Sequence, residues 1–172
     1  MDQQNKTTTH FTKGLIIGLS LVVIGIVFQI LNIYEQWVQF VITGVYALSI
    51  VGSCFMFSKE MHGEVRFGQI FSHGFKTVAI VILISIASFI ITSLIMPEIK
   101  QKALEMAREQ MEKDPRMTES TIKTAIEWTD KFYFVVGIIG SLFGLGLSGA
   151  IASLIGAAIS KKIPAHQMPK SL

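Results

Sequence analysis

Four long apolar runs alternate with polar segments along this chain, and their spacing sets the predicted elements. Residues 14–33, 37–57, 77–96 and 132–160 are each predominantly apolar over about 20 positions or more, the length a helix needs to cross the hydrocarbon core of a bilayer. The first run is longer than the apolar centre of a cleavable leader, and Gln29 to Gln36 offers no small-residue cleavage site, so it reads as an uncleaved first span. Asn32 to Gln36 is a tight polar link that makes spans one and two antiparallel neighbours, with Tyr34 and Trp37 placed where amphipathic rings meet the water interface.

Between spans two and three the chain is charged from Ser58 onward and then becomes patterned. Phe67, Ile70, Phe71 and Phe75, with Gly74, recur at helical steps of three and four, opposite Gln69, Ser72 and His73. The spacing predicts a short helix over 66–76 lying in the membrane surface with those aromatic rings turned into it, and it places His73 on the solvent side. Charged residues dominate from Glu98 to Lys131 after Pro97, so that stretch belongs in water. Arg108 with Glu112 and Glu109 with Lys113 have pairing distance on one helix, Asp114-Pro115 breaks it, and Thr118 caps a second, giving a helical hairpin over 98–131 between spans three and four.

The last run carries a different signal. Gly140, Gly144, Ser148, Ala152 and Gly156 keep a spacing of four, so they stack along one side of a helix as a shallow groove where another backbone can approach closely. Gly14 and Gly18 on span one, and Gly44 and Gly52 on span two, repeat that spacing over a shorter length. The expected fold is therefore all-α: a membrane protein built as a four-transmembrane-helix bundle with a charged extramembrane helical hairpin, flanked by polar tails at 1–13 and 163–172.

Composition agrees with that solvent. The chain has 172 residues, of which 51% are hydrophobic and 16% charged, and a mean hydropathy of +0.54. Its net charge of +3 comes from cations beside apolar runs, not along one helix face, which fits a bilayer surface and speaks against nucleic acid. Lysines and arginines are nearly even on the two sides. Those abutting spans are not: Lys13, Lys59, Lys76, Lys161 and Lys162 stand on the terminus side against Lys131 on the other, so both termini are expected in the cytoplasm. Arg66, Lys76, Lys161 and Lys162 are the cations expected to meet anionic lipid headgroups.

Chemistry is sparse. No Asp, Glu, Lys, Arg or His lies inside the four runs, which argues against proton-coupled export of the kind that needs a carboxylate in the membrane. The four histidines are scattered without ligand spacing, and Cys54 is the single cysteine, so neither a metal cluster nor a disulfide is expected. Glu60, His62 and Glu64 read as a solvated loop. No catalytic residue and no cofactor emerge, and the last run's glycines lack the Lys-Ser/Thr ending of a phosphate loop.

The four spans, the segment Phe67-Gly68-Gln69 with Phe71, Gly74 and Phe75, the charged stretch after Pro97 and the small-residue last span closing on Lys161-Lys162 together resemble the bacterial family called domain of unknown function 4199, over roughly residues 12–162. That resemblance implies a multi-pass protein of the bacterial inner membrane and brings no activity or catalytic residues with it. Three roles are compatible with the residues. One is a non-enzymatic packing and interaction module that contacts lipid and either a second copy or another membrane protein. Another is an accessory subunit of a membrane glycosyltransferase or lipid-linked glycan pathway. The third is a small-solute transporter or channel lined by Gln29, Gln39, Ser85, Ser88 and Thr92.

Overall fold

Three of the four apolar runs fall on helices that begin before them, and the last run encloses its helix. The computed structural model of the chain describes residues 9–31, 33 and 35–162; residues 1–8 of the tail expected at 1–13, the tail expected at 163–172, and Asn32 and Tyr34 of the first link lie outside the described residues, while residues 10–13 of the first expected tail belong to a helix instead. Among the described residues there are six helices and no strand: α1 (His10–Ile30), α2 (Gln36–Glu60), α3 (Phe67–Ile95), α4 (Pro97–Glu112), α5 (Glu119–Lys131) and α6 (Tyr133–Ile159). Four of them, α1, α2, α3 and α6, are long and apolar enough to cross a membrane. At ~1.5 Å per residue, even the 21 residues of α1 reach the ~30 Å of a hydrocarbon core. The fold is thus that of an all-α membrane protein.

Local chemistry explains where the helices begin and end. Thr9 caps α1 by accepting from the backbone N–H of Thr12 at 3.3 Å, which draws His10 and Lys13 into the helix. At the end of α2, His62 and Gly63 take left-handed φ values of 53° and 78°. The Gly63 N–H donates to the Ser58 carbonyl at 2.8 Å, satisfying one of the helix's last acceptors. The backbone N–H of Arg66 then donates to the Gln69 side chain at 2.8 Å, one half of a capping box, where α3 starts at Phe67.

Here the structure departs from the sequence expectation. The separate surface helix expected over 66–76 is the first part of α3, which runs unbroken through Lys76 to Ile95. No proline interrupts that stretch, and extending an existing helix avoids the cost of nucleating a second one. Pro97 comes next, at the start of α4, where its missing N–H has no partner to lose.

The chain divides into two compact units, Met1–Ser85 with Gly144–Leu172, and Ile86–Phe143. In the first, α1, α2, the beginning of α3 and the end of α6 form a bundle. A Cβ on Gly14 would stand 2.6 Å from that of Ile80, and one on Gly18 would stand 2.7 Å from Ile84 Cδ1, so these glycines seat α1 directly on α3. Small residues do the same for α6. A Cβ on Gly156 would lie 2.7 Å from Cys54 Cβ of α2, and Gly149 faces Tyr46 and Val78 with no room for one. Tyr46 is fully buried there, and its hydroxyl donates to the Leu145 carbonyl at 2.8 Å. Cys54, Val65, Ile70 and Ala157 close the core, with Phe57 and Phe71 against it.

In the second unit α4 and α5 lie against one another. Arg108 pairs with Glu112 at 2.8 Å along α4, and Thr118 accepts from the Thr121 N–H at 3.3 Å to start α5. In the turn between them Arg116 binds Asp114 through its side chain and its backbone N–H, holding that carboxyl below the usual carboxylate range.

Candidate functional site

The polar residues that the structure gathers lie at one end of the first unit, where the start of α1, the end of α2, the start of α3 and the end of α6 meet. Lys13 is 5% exposed, and its ammonium sits 3.0 Å from Glu60 Oε1. The approach lies outside hydrogen-bond geometry, and among the described residues the ammonium has no hydrogen-bond partner, so the attraction to Glu60 is coulombic. It links α1 to α2. A charge at such a depth must be paired or it costs several kcal/mol, roughly the penalty of an ion left without water.

His73 of α3 is packed beside this pair. It is 6% exposed, its ring lies flat on Phe57 at 4.2 Å and edge-on to His10 at 6.2 Å, and its Nε2 is 3.3 Å from Ser53 Oγ. Thr77, also buried, donates to the His73 carbonyl at 2.9 Å. Lys13 and His10 of α1 and Lys76 of α3 are the cationic and imidazole side chains nearest this ring. The Ser53–His73 contact joins α2 to α3. The solvent-side position expected for His73 is overturned, because α3 enters the bundle at Phe67 instead of lying on the membrane surface.

The other charges at this end have separate partners. Ser58 Oγ donates to the Lys161 carbonyl, tying the end of α2 to the chain after α6. Lys162 donates to the carbonyls of Ala157 and Ala158 at 3.1 and 2.7 Å, which caps α6, and its ammonium lies 5.9 Å from the centre of the Phe67 ring. Arg66, Lys76 and Lys161 are exposed, while the stem of Lys161 covers Gly63. In the solvated loop expected from Glu60 to Glu64, His62 and Glu64 are exposed, but Glu60 is the ionic partner of Lys13. Among the described residues no group of His, Cys, Asp and Glu side chains could hold a metal ion.

The two surfaces read from periodicity are each divided. Of the ring-bearing face, Phe67 and Phe75 are exposed, Phe71 is half-buried against Phe75, and Ile70 is fully buried in the core. Of the small-residue ladder on α6, Ala152 and Gly156 are buried and Ser148 half-buried, whereas Gly140 and Gly144 have no heavy atom within 4 Å of where a Cβ would stand. Of the neutral polar residues considered for a solute path, Thr92 donates to the Ser88 carbonyl at 2.7 Å, and Gln39 is exposed.

Sequence reasoning missed the Lys13–Glu60 pair, the burial of His73 and the Tyr46 tether to α6. A signal existed for the first: opposite charges at the far ends of two antiparallel helices joined by a short link. None existed for Tyr46, whose acceptor is a backbone carbonyl almost a hundred positions away.

No curated protein and no solved structure matches the chain. A family does match, over residues 12–162, and its description is "Protein of unknown function (DUF4199)". The matched stretch includes the four membrane-length helices from Thr12 of α1 onward, the cluster of Lys13, Glu60 and His73, and the capping lysine Lys162, and by this match the chain belongs to the DUF4199 family.

Proposed function

We propose that this protein is a non-enzymatic packing and interaction module of the bacterial inner membrane, and that the open part of the α6 ladder is where a second membrane helix docks. The observation that carries this reading is the contrast within one helix. Gly149 and Gly156 are already filled by Tyr46, Val78 and Cys54, while Gly140 and Gly144, on the same helix, have nothing within 4 Å. Close backbone approach over small residues is what drives helix association in lipid, where burial of apolar surface adds little. A second copy of this chain supplies such a helix, and another membrane protein is the alternative partner. Exposed side chains beside the open positions, Phe143 at 74% and Leu147 at 68%, are apolar and suit contact with lipid or with that partner.

Lys59, Lys76 and Lys161 are exposed at the end of the first unit where α1 starts and α6 finishes, and Lys162 lies beside them, which supports a cytoplasmic placement of that end. Lys13 leaves the count because it faces Glu60. The charged pair of helices α4 and α5 then lies on the other side of the membrane.

The test is substitution of Gly144 by Leu, alone and with Gly140→Leu, followed by cross-linking and mass measurement in mild detergent. A partner docked on this face is lost or weakened at least about tenfold, the effect of roughly 1.4 kcal/mol, while the fold persists. Assembly identical to that of the native chain refutes the reading.

A further inference from the structure

Aromatic side chains ring the base of the α4–α5 pair, and the function proposed above does not use them. Phe89 of α3 packs on Tyr133 at 5.4 Å between ring centroids and on Phe134 at 6.1 Å. Gly137 of α6 gives the Phe89 ring its room. Lys100 of α4 pairs with Asp130 of α5 at 2.7 Å and lies 5.6 Å from the centre of the Tyr133 ring. These contacts hold the last turn of α5 at the level where α6 begins.

Trp128 and Phe132 stand at that same level but outside the network. Their rings stack at 5.3 Å, Trp128 is 61% exposed and Phe132 37%, and the Lys131 ammonium lies 5.6 Å from the Phe132 ring centre. Ile126 lines the cleft between α5 and α4 with Gln101, Leu104 and Arg108. Trp128, about 200° further round the helix, points away from that cleft.

We infer that Trp128 and Phe132 seat the end of α5 in the headgroup–acyl boundary of the bilayer, with the Lys131 ammonium among the lipid phosphates. Continuity with α6 gives the occupant. Five residues separate Trp128 from Tyr133, ~7.5 Å at the rise of a helix, which is comparable with the ~5–8 Å polar layer on each side of a hydrocarbon core. An indole has an apolar body and one N–H donor, so this layer satisfies both parts at once, and a neighbouring lysine extends its charge outward. The α5 end is therefore a membrane-surface element and not, as periodicity and charge alone implied, a helix standing wholly in water. The inference rests on α3 and α6 being spans and is independent of what docks on Gly144.

The chain has two tryptophans, so Trp37→Phe leaves Trp128 as the sole indole. The full-length variant is reconstituted into phosphatidylcholine vesicles containing lipids brominated at graded depths, and insertion is verified by resistance to alkaline extraction. The expected emission is shifted to the blue of a water-exposed indole, protected from acrylamide, and quenched most by bromines ~15 Å from the bilayer centre. Emission typical of water with free acrylamide access, in protein that is inserted, overturns the inference. So does blue-shifted emission that no lipid bromine quenches, because a protein surface then covers the ring. Protein that fails to insert at all overturns the reading of α3 and α6 as spans instead. Where Trp37→Phe alone impairs insertion, subtracting the spectrum of Trp128→Phe from that of the native chain isolates the same indole.

Discussion

Lys13 illustrates what a single charge does once a helix carries it into a bundle. Its ammonium is shielded from water and faces one carboxylate, that of Glu60, at 3.0 Å. Glu60→Gln removes the opposing charge and leaves the ammonium buried, a change that destabilises by about 3–5 kcal/mol, whereas Lys13→Met combined with Glu60→Leu removes both charges and is nearly neutral. Reversible unfolding in mixed micelles measures both variants. A Glu60→Gln loss below about 1 kcal/mol, the range of exposed pairs, contradicts a buried pair. His73 meets the same constraint differently. Its ring is a flat apolar plate against Phe57 with one edge directed to Ser53, so the burial leaves few polar atoms unmatched.

At the scale of the element, the ladder on α6 shows that one spacing serves two surfaces. Small residues four apart lie along one side, but successive positions drift around a helix of 3.6 residues per turn, so the ends of a long ladder look in different directions. Gly156 is pressed on Cys54 and Val51 of α2, while Gly144 is open. Gly156→Leu must displace α2 or α6 and is expected to cost about 3 kcal/mol, the upper range of overpacking. Gly144→Leu leaves folding unchanged. Thermal denaturation of the two variants in detergent checks this, and equal losses would mean that the ladder does not divide as described. Cys54→Gly removes the Cβ that Gly156→Leu strikes and restores part of the loss.

At the scale of the whole molecule, the proposed topology has the start of α1, the α2–α3 turn and the end of α6 on one side of the membrane, with the α1–α2 link and the α4–α5 turn on the other. Single cysteines at Lys59, Glu35 and Arg116, in a Cys54→Ala background, report this directly. In intact cells a membrane-impermeant maleimide is expected to label Glu35→Cys and Arg116→Cys and to spare Lys59→Cys until the membrane is opened. Labelling of the first and last together, or of neither Glu35→Cys nor Arg116→Cys, is incompatible with four crossings and cytoplasmic termini. Cys54 itself is fully buried, so in the native chain it should react only after unfolding.

Apolar length alone determined that this protein has four membrane-length helices, because the ~30 Å of hydrocarbon that a helix must cross is a property of lipid and not of the fold. Cap chemistry made Thr118 legible as a helix start, since that signal is local. The spacing along α6 marked out a ladder of small residues. What the sequence left open was long-range: whether Phe67 begins a surface helix or a span, which glycines of the ladder face inward, and where Lys13 and His73 reside. Those answers depend on which backbones lie alongside, as when Ile80 and Ile84 of α3 meet the glycines of α1, or when Cys54 and Tyr46 occupy the inner side of α6. Periodicity assigns a residue to a face, and only tertiary contact decides whether that face meets lipid, water or another helix.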